Sequence, residues 1–179
     1  MSTVIPTSCR KRYEGQSQSM KTHYRIKPIG IIHSPFHQEE GTPIQPVMSR
    51  GDRGWVEVFP EFVEGLVDLE LYDRVWLLFW CDRAECRSLT VTPYLDDKSH
   101  GIFSTRSPAR PNPVGISCVR LVKVEGNRLD IEQLDILDGT PLLDIKPYIP
   151  KFDSYEVKRA GWYGGEMPEA VRAVKRFTR

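Results

Sequence analysis

Residues 115–134 read GISCVRLVKVEGNRLDIEQL. Val119, Leu121, Val122, Leu129 and Ile131 are β-formers, and the glycine-asparagine pair of Glu125-Gly126-Asn127 falls between the two runs that carry them. That pattern predicts a hairpin, with a long strand over 115–124, a tight turn, and a return strand over 128–134.

Working outward, residues 75–81 (VWLLFWC) are apolar throughout and predict a central strand buried on both faces. Residues 55–59 predict a strand stopped by Pro60, and 61–69 a short helix with Phe62, Leu66 and Leu69 at helical spacing. An extended, increasingly buried segment over 24–32 breaks at Ser34-Pro35, the punctuated stretch 41–53 reads as a loop, and 101–103 as a brief strand. Six or so short strands with one brief helix before Pro150 predict a mainly β fold, an antiparallel sheet closed or nearly closed into a barrel with short helices. A doubly wound sheet would need more helices. From Pro168, Ala170, Val171, Ala173, Val174 and Phe177 predict a C-terminal helix. The chain thus divides into a polar, disordered leader over 1–23, a barrel domain over 24–153 and a basic tail with a helix over 154–179.

A length of 179 residues supports one ordinary domain. With 40% hydrophobic and 27% charged residues, collagen-like, coiled-coil and wholly disordered classes are excluded. The longest strongly apolar stretch, 75–81, is about a third of the roughly 20 residues a membrane helix needs. No apolar signal core opens the chain, so a cytoplasmic protein without a membrane partner is expected. Cys9, Cys81, Cys86 and Cys118 form no CxxC pair, which predicts neither a disulfide framework nor a metal site. The net charge of +1 averages over opposing regions: five basic and one acidic residue over 1–25, 13 and 19 over 26–150, and seven and four over 151–179. An acidic body with basic ends meets a polyanion through local patches.

Three segments carry polar chemistry on stiff backbone. Residues 101–115 (GIFSTRSPARPNPVG) hold Arg106 and Arg110 between prolines, suited to bidentate recognition of a carboxylate or phosphate. Residues 137–148 (LDGTPLLDIKPY) contain a tight turn in which Gly139 lets a ligand approach the backbone and Asp138 can accept from a ribose diol or an amine. Residues 41–46 (GTPIQP) offer the Gln45 amide from a kinked loop. Read alone, each also fits an ordinary turn or surface loop. No serine elbow, phosphate loop of the Walker type or dinucleotide-binding glycine pattern is present.

Together with IGIIHSP at 29–35, these segments resemble the signatures of the TsaA-like, TrmO-type (YaeB-like) tRNA methyltransferases, over about residues 24–153. The resemblance implies a β-barrel enzyme that binds S-adenosylmethionine without a Rossmann fold, acts as a homodimer with its site near the subunit interface, and methylates tRNA at N6 of threonylcarbamoyladenosine beside the anticodon. It further implies cofactor contacts at Pro43, Ile44, Gln45, Asp82, Arg83, Arg106, Asp138, Gly139, Thr140 and Pro141; bacterial members carry His-Gln where this chain has Asp82-Arg83. Methylation of a urea-like nitrogen gains from a proton acceptor, and Asp144, His33, Asp82 and His100 all remain open for it. Arg106, Arg110, Lys146 and Tyr148 are the expected RNA contacts. Two other readings stay in competition: a methyltransferase for another RNA or small substrate, and a non-catalytic RNA-binding module.

Overall fold

The computed structural model describes residues 24–85, 87–164 and 171–174. Six strands close into an antiparallel barrel: β1 (Gly30–His33), β2 (Arg53–Val58), β3 (Arg74–Trp80), β6 (Val114–Glu125), β7 (Arg128–Glu132) and β8 (Thr140–Pro147), in the spatial order β1-β2-β7-β6-β3-β8. β4 (Thr90–Val91) and β5 (His100–Gly101) form a separate two-stranded sheet inside the long β3-to-β6 connection, and α1 (Pro150–Asp153) is one turn. Closure removes free edges and leaves one interior to fill.

The predicted hairpin is present. β6 and β7 pair from Glu125↔Arg128 back to Arg120↔Glu132, and Gly126 takes φ +59° at the first position of the two-residue loop, where an L side chain would be strained. Ile32, Val56, Val58, Val75, Leu77, Val119, Leu129, Ile131 and Leu142 fill the interior. Their spacing of two along each strand is the pleat of a one-sided sheet.

That periodicity corrects the reading of 75–81. Val75, Leu77 and Phe79 are buried, but Trp76, Leu78 and Trp80 on the alternate face are half-buried. An apolar outer face, and not double burial, is what makes the run continuous. The segment over 24–29 lies outside any strand, and the helix expected over 61–69 is a 3-10 helix over Pro60–Leu66 followed by a turn over Leu69–Leu71. Pro60 opens it, and Gly65 weakens its end. The strand expected at 101–103 is His100–Gly101 passing into a 3-10 turn over Ile102–Ser104.

The expected C-terminal helix falls partly outside the described residues, and the leader over 1–23 lies wholly outside them. Where the structure describes it, over 171–174, the chain is extended and Arg172 bridges to Pro43. Backbone bonds explain the difference, because Gly41 N–H donates to Ala173 O at 2.9 Å, and Ala173 N–H to Thr42 O at 2.7 Å. A strand-like partner outcompetes a weak local helix preference.

Candidate functional site

Topology gathers the chemistry. The connections over 34–52, 81–113 and 133–139 all leave the same ends of their strands, whereas the opposite ends are joined by 59–73 and the two-residue hairpin. Pro43, Ile44 and Gln45 ride on the first long connection, Asp82, Arg83, Arg106 and Arg110 on the second, and Asp138 and Gly139 on the third, with Thr140 and Pro141 opening β8.

Two contacts knit these loops. Arg106 Nη1 donates to Gln45 Oε1 at 2.6 Å, joining the first connection to the second. Arg83 Nη2 donates to Asp138 O at 2.5 Å and to Thr140 Oγ1 at 3.2 Å, joining the second to the third, while Asp82 Oδ1 lies 3.5 Å from Arg83 Nε. Gly139 sits at φ +75°, and a Cβ added there would meet no atom within 4 Å, so its backbone faces open space. The Asp138 carboxylate turns back to its own framework: Ser34 N–H donates to Oδ1 at 3.0 Å, with His33 Nδ1 3.6 Å and His37 Nδ1 3.6 Å away.

Other expected site residues take other roles, at this end or away from it. Arg110 donates to Ser107 O at 3.0 Å, Ile102 O at 3.2 Å and Thr105 O at 2.5 Å, so its guanidinium staples its own loop. His33 stacks on Trp55 at 3.8 Å beside a cavity of about 290 Å³ lined by Ser34, Pro35, Arg53, Gly54 and Asp138. The register of β8 against β3 shifts between Leu78 and Phe79, which puts Asp144 opposite Leu78 and Lys146 opposite Trp76 on the outer wall, where Lys146 Nζ lies 2.8 Å from Asp144 Oδ2. Tyr148 packs edge-on against Trp76 beyond the far end of β8 and lines a second cavity of about 350 Å³ with Leu71, Tyr72, Asp73, Arg74 and Pro150. The structure therefore separates Asp144, Lys146 and Tyr148 from the loop end.

Two residues at this end, Asp135 and Arg172, carry no expectation from the sequence, and Cys81 was weighed there only for disulfide and metal chemistry. Asp135, on the β7-to-β8 linker, accepts from Ser117 Oγ at 2.6 Å, and burial raises its carboxyl to about pKa 7 against the opposing pull of that hydrogen bond and of Arg106. Burial likewise pushes the Cys81 thiol up to about 12, helped by the charges of Asp82 and Asp135, so it is no nucleophile at neutral pH. Arg172 closes the loop end from outside: Nη1 donates to Gly41 O at 3.2 Å and Nη2 to Asp52 Oδ2 at 3.1 Å. The available signal was a polar residue set between the apolar Leu134 and Ile136, three positions before Asp138. Among the described residues no group of three or more His, Cys, Asp and Glu side chains could hold a metal.

A closed barrel whose connections assemble arginines, an amide and a glycine turn at one end presents a candidate loop-built site on a β scaffold. Residues 31–154 match the family model of the tRNA-methyltransferase O N-terminal domain, and the chain belongs to that family. It is 55% identical over 136 residues to a probable S-adenosyl-L-methionine-binding protein of Pyrococcus abyssi, covering 76% of this chain and 74% of that one. The crystal structure of TrmO from Pseudomonas aeruginosa superposes with a TM-score of 0.70 at 40% identity, covering 82% of this chain and 65% of that chain. The human tRNA (adenine(37)-N6)-methyltransferase is 37% identical over 135 residues, 72% of this chain but 31% of the human protein. This chain thus spans less than two thirds of the Pseudomonas protein and under a third of the human one.

Proposed function

We propose that the protein is an S-adenosylmethionine-dependent methyltransferase acting on tRNA at N6 of the adenosine beside the anticodon, in its threonylcarbamoylated form. The observation that carries this reading is the convergence of Gln45, Arg83, Arg106, Asp138, Gly139 and Thr140 at one barrel end, within the span matched by the tRNA-methyltransferase O family. The donor set fits the cofactor: a cationic fork for its carboxylate and an open glycine backbone for close approach.

Bound S-adenosylmethionine supplies an electrophilic methyl group on a positively charged sulfur. The chain's residues have to hold donor and nitrogen in line and keep water out. Arg106, positioned by Gln45, grips the cofactor carboxylate or the threonyl carboxylate of the target. Arg83 fixes the Asp138-to-Thr140 turn and so sets the backbone surface on which the cofactor rests.

A homodimer belongs to the same proposal. Ile116 and Val122 on β6 are 48% and 54% exposed, and with the half-buried Trp76, Leu78 and Trp80 they give the outer wall an apolar character that supports pairing with a second copy. A cytoplasmic location completes the reading. RNA would approach the loop end, with Lys146 and Tyr148 serving a flank along β8.

The test is incubation of the protein with labelled cofactor and unfractionated tRNA, followed by nucleoside analysis. Methylated threonylcarbamoyladenosine is the expected product, and Arg106→Ala should lower its formation by about 100-fold with the fold retained. Label in a different nucleoside would redirect the substrate, and tRNA binding without any transfer would favour an RNA-binding module.

A further inference from the structure

We propose that Trp162 and the segment 171–174 are positioning residues of the cofactor site: they tie the 34–52 and 81–113 connections together from outside the barrel and hold Arg106 against Gln45. The proposal rests on the reading in which these two connections hold S-adenosylmethionine, and it adds to that reading a part for the tail.

Beyond α1 the chain is exposed over 154–161, and burial resumes at Trp162. Gly161, at φ +68°, makes the turn that precedes it. Trp162 Nε1 donates to Ser104 O at 2.7 Å, and its ring stacks on His100 with centroids 4.8 Å apart and planes 19° apart. His100 is itself held, its Nε2 2.9 Å from Asp96 Oδ2. The indole is thus anchored twice on the 81–113 connection, and one of its anchors, Ser104, lies two residues before Arg106.

The later stretch is anchored on the other connection. Ile44 N–H, one residue before Gln45, donates to Val171 O at 3.3 Å, and the bonds of Ala173 with Gly41 and Thr42 continue the same pairing. Arg172 adds its donors to Gly41 O and Asp52. Tyr94 Oη, on the 81–113 connection, reaches both the Glu39 carboxylate and Val174 O, so all three segments meet there.

The pair between these anchors is the one that needs them. The Arg106–Gln45 hydrogen bond is exposed, its two side chains are long, and a bond open to water does little by itself against their conformational freedom. Tail contacts one residue from Gln45 and two from Arg106 restrict both backbones before a ligand arrives, which lowers the ordering cost of binding. Among the described residues the apolar cluster that fills the barrel includes none beyond Ile145, so loosening the tail leaves the core packed.

The test uses the full chain and calorimetry with S-adenosylmethionine. Trp162→Ala, which removes ring and donor, should weaken cofactor binding about 10-fold, and Trp162→Phe, which keeps a ring on His100 but no donor, should weaken it less. Unfolding midpoints of both should stay close to wild type, while amide exchange in Trp162→Ala speeds up over 102–106 and is unchanged in β1, β2 and β7. A double-mutant cycle with Arg106→Ala separates positioning from plain support. Because Trp162 acts through Arg106, the two losses of affinity should fall well short of their sum, whereas independent effects add. Affinity of Trp162→Ala within about two-fold of wild type, or additive losses in the cycle, overturns the proposal and leaves the functional reading standing. A large fall of the midpoint in both variants overturns it too, since the tail would then support the core. Failure of wild type to bind S-adenosylmethionine overturns the functional reading and the proposal with it.

Discussion

The two ends of the barrel are built on opposite terms. At one, β6 and β7 are joined by Gly126 and Asn127 alone, and β2 reaches β3 through 3-10 turns. At the other, the connections over 34–52, 81–113 and 133–139 meet, crossed by the Arg83 and Arg106 contacts and holding a carboxyl raised by burial. Each end carries one left-handed non-glycine residue, Asp68 at the turn end and Gln133 at the loop end. The loop end differs in its buried polarity, a feature that lowers stability and is retained where it serves a site.

If this contrast is right, mutations at the two ends should have opposite signatures. The largest expected effect is at Asp135. Below about pH 4 both folded and unfolded chains hold its proton; between about 4 and 7 the unfolded chain releases it while the folded one keeps it, so stability falls as pH rises across that window. Above it the loss is complete, on the order of 4 kcal/mol for a rise from 3.8 to about 7. Asp135→Asn should consequently be more stable than wild type at pH 8 and indistinguishable at pH 4 by denaturant unfolding. A variant less stable than wild type at pH 8 would erase the distinction between the ends.

Gly126→Ala is the counterpart at the turn end. A β-carbon at φ +59° should cost about 1–2 kcal/mol and leave cofactor affinity unaltered. Equal losses of stability and affinity would mean that the ends are coupled.

The smallest effect is expected from Arg172→Ala, which removes donors to Gly41 O and Asp52 but leaves the backbone bonds of Gly41 and Ala173 intact. Cofactor affinity should fall a few-fold by calorimetry, with the unfolding midpoint nearly unchanged. A larger drop in stability would make the tail part of the fold and not a clasp on the loop.

Much of the barrel could be read from local pattern. The alternation in 115–124, the glycine at 126 and the apolar run at 75–81 each marked a strand or a turn, because side-chain period and turn chemistry act within a few residues. Which face of 75–81 lay outward was not legible, since burial on both faces and burial on one face against an apolar exterior give the same continuous run. The three signature segments likewise stood out for rigidity and charge, yet the sequence could not tell that Arg110 would staple its own loop or that Asp144 would turn outward. The first depends on carbonyls that converge when residues 102–107 fold, the second on a one-residue register shift between β3 and β8.

By itself the sequence determined an antiparallel barrel, its hairpin and the family signature that points to methyl transfer. Tertiary structure alone decided that residues as far apart as Gln45, Arg83, Arg106, Asp135 and Thr140 lie at one end, and that the partly buried Asp135 carboxyl is raised there. The physical reason is that strand order and closure are global, and desolvation of a carboxyl depends on every element around it, whereas periodicity and turn preference act locally.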